Sequence, residues 1–165
     1  MRAAVLVVST SLAAGEGEDR SGPVLAEAAR PAGCEVPGID VVADDRALIA
    51  ARLRAYAEDA ATDVVLTTGG TGFTPDDVTP EATRDVVDRD APGIAEALRA
   101  ESLRHTPMAM LSRGVSGLAG RTLIVNFPGS PKAIEQTFGV LAPVLGHAVA
   151  TLSREGGRDA GARHA

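Results

Sequence analysis

The sequence predicts an α/β domain built on a mainly parallel sheet, and three observations carry that prediction. Continuous apolar runs at residues 3–8, 63–67 and 122–126 lack the in/out alternation of a strand with one wet face, as expected of strands covered on both sides. Segments with helical periodicity and helix-start residues separate these runs. The resulting order of strand, helix, strand, helix favours parallel strands joined by right-handed crossovers.

The first run, AAVLVV at 3–8, follows Arg2 and so has the superficial layout of a secretion signal. It is short, and it breaks into Ser9, Thr10, Ser11, Gly15 and Glu16 with no cleavage region, so it is read as a buried first strand. Ser21-Gly22-Pro23 opens a helix at Val24, with Leu25, Ala28 and Ala29 on one face. A second strand covers 36–42, interrupted by Pro37 and Gly38. Asp45 caps the next helix, whose Leu48, Leu53 and Tyr56 point inward. After the third strand, Thr79-Pro80-Glu81-Ala82 starts another helix: Thr79 is the N-cap, proline takes the first helical position, and an acid sits in the positive first turn. The fourth strand, 122–126, leads into FPGSPKA. Residues 154–165 hold no apolar residue larger than alanine and are expected to be a disordered tail, leaving 1–153 as one domain.

Composition narrows the function classes. The 165 residues suit one domain that buries about two thirds of its unfolded surface. A formal net charge of −6 and the lack of a basic cluster offer a polyanion no electrostatic footprint, so no nucleic-acid partner is expected. No segment approaches the roughly 20 apolar residues needed to span a bilayer, so a soluble protein with no membrane partner is expected. Cys34 is the single cysteine, which excludes an internal disulfide and a cysteine-based zinc site and suits a reducing cytoplasm. His105, His147 and His164 have no metal-ligand spacing.

In parallel α/β sheets ligands bind beyond the carboxyl ends of the strands. Four loops fall there: SLAAGEGEDRSG at 11–22, Ala43-Asp44-Asp45, TTGGTGFTPDDVTP at 67–80, and FPGSPKA at 127–133. The glycine loop matches neither GxGxxG nor a P-loop. Two readings stay open for it. Gly69, Gly70 and Gly72 serve a tight turn needing positive φ, or the loop amides and the hydroxyls of Thr67, Thr68 and Thr71 form an anion-binding nest. Ser130 and Lys132, the only lysine, are phosphate-binding candidates, with a solvated first-turn side chain as the plainer account of Lys132.

The longer pattern TTGGTGFTPDDVTPEAT closely resembles the signature of the MogA/MoaB family of molybdenum cofactor biosynthesis proteins, which includes the corresponding domain of gephyrin. The resemblance extends to GEGEDRSGP at 15–23, to Asp44-Asp45, to PGIAEALRAESL at 92–103, and to AMLSRGVSGLAGRTLIVNFPGSPKA at 109–133. It implies a single three-layer α/β/α domain, commonly a homotrimer, that adenylylates molybdopterin with ATP as co-substrate and Mg²⁺ as cofactor, releasing pyrophosphate. It also implies a cytoplasmic protein with a MoeA-type molybdenum insertase as a further partner. Asp77 and Asp44 match the family's functional acids, with Asp44 as the metal ligand. Capping is the plainer role nearby and suits Asp45 and Thr79 better. Thr68, Gly69, Gly70, Thr71 and Gly72 match the binding loop. Ser112 and Arg113 match a pocket-lining segment, Pro128, Gly129, Ser130 and Lys132 the PGSP segment, and Arg20 and Ser21 the DRSG loop, where Arg20 pairs with a phosphate or with Asp19.

Two departures bear on activity. Asp76 stands where many members have arginine, and Thr10 where many have aspartate. A MoaB-type binding protein with little or no turnover is therefore the alternative, and a CinA-type nucleotide pyrophosphatase a more distant one, since PDD is similar to that domain while GGTGFT is not.

Overall fold

The computed structural model describes residues 1–153, and within them the chain folds in the order β1 (Ala3–Val8), α1 (Thr10–Ala13), α2 (Ser21–Ala29), β2 (Ile39–Val42), α3 (Arg46–Glu58), β3 (Val64–Thr68), α4 (Thr79–Arg84), β4 (Arg89–Asp90), α5 (Pro92–Leu103), β5 (Ser116–Ala119), β6 (Thr122–Phe127) and α6 (Pro131–Leu152). Short 3-10 turns occupy Arg30–Ala32 and Pro107–Leu111. The expected tail at 154–165 lies outside the described residues.

The six strands form one sheet in the order β2-β1-β3-β6-β5-β4, parallel through the first four and antiparallel in the last two. Each central strand feeds two cores because successive side chains point to opposite faces. On one face Val5, Val64, Leu66, Leu123 and Phe127 meet α2, α5 and α6 through Leu25, Leu98, Ile134, Phe138 and Leu141. On the other, Leu6, Val65 and Ile124 meet α3 and α4 through Ile49, Leu53 and Ala82. This is the expected three-layer arrangement, and it explains why β1, β3 and β6 read as unbroken apolar runs. Cys34 is buried in the first core, where burial is the main reason that its thiol pKa is raised.

Several local expectations are corrected. Leu48 is 54 % exposed, and α3 buries Ile49, Ala50 and Leu53 instead, with Tyr56 only half-buried. The second strand shrinks to four residues because Pro37 and Gly38 stay outside it. α2 begins at Ser21 rather than Val24; the Asp19 carboxylate accepts the amides of Ser21 and Gly22 at 3.1 and 3.0 Å. A Cβ on Gly22 would lie 2.7 Å from Val7 and 2.9 Å from Ile39, so glycine there lets α2 lie close on the sheet. Thr79 is not the N-cap of α4. It is the first helical residue, fully buried, and its hydroxyl serves the neighbouring loop.

Candidate functional site

Connections from β1 and β3 leave in opposite directions, to β2 at one edge of the sheet and through α4 to β4 at the other, so the strand order reverses between β1 and β3. That reversal opens a crevice at the carboxyl ends of the strands, and the glycine loop starts there. Gly69 and Gly70 have φ of +98° and +63°, as the tight-turn reading requires, whereas Gly72 does not have a positive φ. The turn is also crowded. A Cβ on Gly69 would sit 2.3 Å from the Val8 carbonyl oxygen, and one on Gly70 2.4 Å from Thr79 Oγ1.

Buried polar groups hold the loop from behind. Thr79 donates its hydroxyl to the Gly69 carbonyl at 2.9 Å and its amide to the Gly70 carbonyl at 3.0 Å. Below them, Asn126 Nδ2 donates to Thr67 Oγ1 and Thr83 Oγ1, both at 3.0 Å, and the Thr83 hydroxyl donates to the Thr79 carbonyl at 2.8 Å. The Thr68 hydroxyl donates to the Pro128 carbonyl at 2.8 Å and so ties the loops after β3 and β6 together. No buried side-chain polar atom among the described residues lacks a partner, as expected of a network that fixes one geometry.

Arg113 braces the other end. Its amide donates to the Thr71 carbonyl at 2.9 Å and its Nε to the Gly72 carbonyl at 2.7 Å. The guanidinium also reaches the Asp77 carbonyl and pairs with Glu81, whose carboxyl this hydrogen bond holds below its ordinary pKa. The cation is thus committed to protein acceptors.

The two predicted acids press on the same loop. A Cβ on Gly70 would be 3.4 Å from Asp44 Oδ1, and one on Gly72 3.0 Å from Asp77 Oδ2. Burial pushes the Asp77 pKa up. Hydrogen bonds from the Thr74 hydroxyl and amide, the Gly72 amide and the Arg113 charge outweigh it, and the carboxyl stays below its ordinary value.

A cavity of about 630 Å³ lies beside the loop. It gathers Gly69, Gly70, Thr71, Gly72, Asp77, Ser112, Pro128, Gly129, Ser130 and Lys132 from the predicted set. Ser130 also caps α6, accepting the Ala133 amide at 3.4 Å. Thr68, Asp44, Arg113, Arg20 and Ser21 are not on its wall. Ser21 is buried at the start of α2, and Arg20 is exposed and forms no ion pair with Asp19 among the described residues.

The wall also holds residues that sequence reasoning missed. Arg99 and Ser102 come from α5, His105 and Met108 from the segment after it, Asn126 from β6, and Gln136 from α6. Arg99 Nη1 donates to the Gly114 carbonyl at 2.7 Å, which sets its side chain across the cavity. The available signal was an arginine directly after buried Leu98, on the half-buried face of an amphipathic helix.

Residues 4–147 match the family described as "Probable molybdopterin binding domain". The chain belongs to that family. Within it, the relatives place the chain in the MogA/MoaB group. A solved MogA structure superposes with a TM-score of 0.87 at 43 % identity, covering 93 % of this chain and all of that one. The molybdopterin biosynthesis enzyme MoaB of Thermus thermophilus gives a TM-score of 0.86 at 43 % identity, covering 92 % of this chain and 96 % of its own. The molybdopterin adenylyltransferase of Helicobacter pylori is 40 % identical over 110 residues, 67 % of this chain and 62 % of the enzyme. The molybdenum cofactor synthesis protein cinnamon of Drosophila melanogaster is 41 % identical over 147 residues, 88 % of this chain and 24 % of that protein. The chain thus spans less than two thirds of the length of these curated relatives. Its place in molybdenum cofactor biosynthesis follows from the family.

Proposed function

We propose that this chain transfers the adenylyl group of Mg-ATP to molybdopterin. The observation that carries the reading is the cavity itself, which joins the glycine loop, Asp77, Ser112 and the start of α6 at the strand-order reversal. An oxygen of the molybdopterin phosphate attacks the α-phosphorus of ATP, the bond to the β-phosphate breaks, and pyrophosphate leaves. The nucleophile is already anionic, so the protein has to position two anions and offset their charge rather than move a proton. Loop amides, the N-terminus of the 22-residue α6 and Lys132 supply positive potential for phosphate oxygens. Arg99 and Ser112 orient the organic part of the substrate.

The residues present fit a Mg²⁺ ion carried in with the nucleotide. No group of three or more His, Cys, Asp or Glu among the described residues forms a ready-made metal cage. Mg²⁺ needs only one or two carboxylates when phosphates and waters complete its shell. Asp44 and Asp77 are the carboxylates that would hold it, and when bound the ion would offset charge on the phosphates.

One feature favours a second reading, a binding protein with little turnover: Thr10 and Asp76 replace residues that the family resemblance places at the site. Incubating the purified protein with molybdopterin and Mg-ATP separates the readings. Adenylylated molybdopterin and pyrophosphate support the transferase, retained but unmodified molybdopterin supports the binding protein, and nucleotide hydrolysis without molybdopterin supports the pyrophosphatase. The same reading takes the protein as cytoplasmic, as a homotrimer, and as a supplier of product to a MoeA-type insertase. An apolar groove between α5 and α6, containing Ile94, Val140 and a half-exposed Val144, supports self-association.

A further inference from the structure

Asp44 and Asp77 sit in unrelated loops, yet each is gripped in the same way. The Thr10 amide donates to Asp44 Oδ2 at 2.7 Å and the Thr10 hydroxyl donates to the same oxygen at 2.9 Å. The Thr74 amide and hydroxyl donate to Asp77 Oδ2 at 2.8 and 2.7 Å. In the first pair the Asp44 amide also donates to Thr10 Oγ1 at 3.0 Å, so the loops after β1 and β2 are tied together through one threonine. Among the described residues, neither Oδ1 accepts a hydrogen bond that meets normal geometry. Asp44 therefore has Oδ2 occupied by a pair of donors and Oδ1 without one, and Asp77 has Oδ2 occupied by the same kind of pair, with the Gly72 amide also bonded to its carboxylate.

We infer that Thr10 and Thr74 are positioning residues that turn the two acids into single-oxygen ligands of fixed direction. The inference rests on the proposed role of Asp44 and Asp77 toward the nucleotide-borne Mg²⁺. A free carboxylate rotates and can chelate through both oxygens, whereas a carboxylate with Oδ2 saturated presents Oδ1 alone, at no further ordering cost when the ion arrives. That arrangement suits Mg²⁺, which tolerates little departure from octahedral geometry. It also gives Thr10 a purpose in this chain. An aspartate at position 10 would face Asp44 Oδ2 as a second acceptor and repel it unless a cation lay between, while threonine donates and keeps Asp44 ordered before any ion binds. The hydroxyls, rather than the amides, are the part that the residue identities add, since any residue there would supply an amide.

The test measures metal affinity directly, by electron paramagnetic resonance of Mn²⁺ titrated into the 165-residue chain with ATP and without molybdopterin. Thr10→Val and Thr74→Val keep shape and amide but remove the hydroxyl. Loss of such a supporting partner lowers metal affinity by about tenfold or more, and we expect about tenfold for each. Thr10→Ser and Thr74→Ser should restore affinity to within about twofold. In an Asp44→Asn background, Thr10→Val should have no further effect, because its partner carboxylate is gone. Valine variants that bind Mn²⁺ as tightly as the parent, or more tightly, would overturn the inference, as would serine variants that fail to rescue while thermal melting stays at the parent value. If Asp44→Asn itself binds Mn²⁺ like the parent, the role of Asp44 falls, and that of Thr10 with it. A weak Asp44→Asn beside an unchanged Thr10→Val refutes Thr10 alone.

Discussion

Replacing Gly69 with alanine should damage the fold before it touches chemistry, and the structure sets the size of the effect. At φ +98° an L-residue is outside its allowed regions, and occupancy of left-handed space costs about 1–2 kcal/mol. The added Cβ would also sit 2.3 Å from the Val8 carbonyl oxygen. Relief requires the end of β1 to move away from β3 where the two strands are paired, Val7 opposite Thr68, and forced backbone shifts in packed regions cost about 1–3 kcal/mol. Together the two effects predict a loss of about 2–5 kcal/mol, or roughly 4–20 °C in melting temperature for a chain of this size. Gly129→Ala is the control. Its Cβ would meet Gly69 Cα at 3.4 Å, an ordinary contact, and Gly129 lies on the cavity wall. Its stability should fall by less than about 1 kcal/mol while ligand affinity falls. Urea titrations of both variants at one fixed protein concentration decide the matter, since the proposed self-association would make apparent stability concentration-dependent. A loss below about 1 kcal/mol in Gly69→Ala would refute the claim that backbone contact, and not ligand contact, demands glycine at this position.

Asp77→Asn should retain molybdopterin affinity within roughly tenfold, about 1.4 kcal/mol, while adenylyl transfer falls at least about a hundredfold; undiminished transfer would remove that carboxylate from the mechanism. Tyr56 should titrate late. Burial first, and then its hydrogen bond to Asp40, push the phenol up to about 12 from an ordinary 10.0. Because the unfolded chain loses this proton from about pH 10 and the folded chain does not, stability should fall as pH rises between those two values. Tyr56 is the only tyrosine and there is no tryptophan, so phenolate absorbance reads this group alone, and a native midpoint near 10.0 would disprove the shift.

How much of this was legible in the sequence depended on how many neighbours each feature required. β1, β3 and β6 were legible because strands covered on both faces need apolar residues at every position. Asp45 was legible because capping is local, and its carboxylate accepts the Leu48 amide at 2.9 Å. β4 and β5 were not, since Arg89-Asp90 and Ser116–Ala119 carry no apolar run and become strands only by pairing, β5 along β6 and β4 along β5. The face of α3 was misplaced because RALIAARLRAYAE is rich in alanine, which sits on either face, so Leu48 and Ile49 competed for the inward direction. The glycine loop announced itself, but its supports did not: Thr79 looks like a helix cap and Thr83 and Asn126 look unremarkable in sequence, and they matter only because α4 and β6 bring them together beneath the loop. Arg99 escaped for the same reason.

The charges around the cavity show why that last group matters. The family resemblance offered Arg113 as a pocket residue, and its guanidinium is instead spent on Glu81 and on the carbonyls of Gly72 and Asp77. Asp76, where the family resemblance places an arginine, adds an acid and no cation. Among the described residues, Arg99 and Lys132 are then the arginine and lysine side chains on the cavity wall. In the proposed transfer, two phosphate-bearing substrates would bring more negative charge than two cations offset, and loop amides, the α6 terminus and a divalent ion would carry the remainder. Amides deliver their share only if they are held rigidly, because a dipole that must reorganise as charge develops loses most of its advantage. The Thr79 and Arg113 contacts fix the carbonyls of Gly69, Gly70, Thr71 and Gly72 from behind and below, and each fixed carbonyl sets the plane of the amide that follows it. In the proposed transfer Arg113 would therefore serve phosphate binding without touching a phosphate, by holding the dipoles that do.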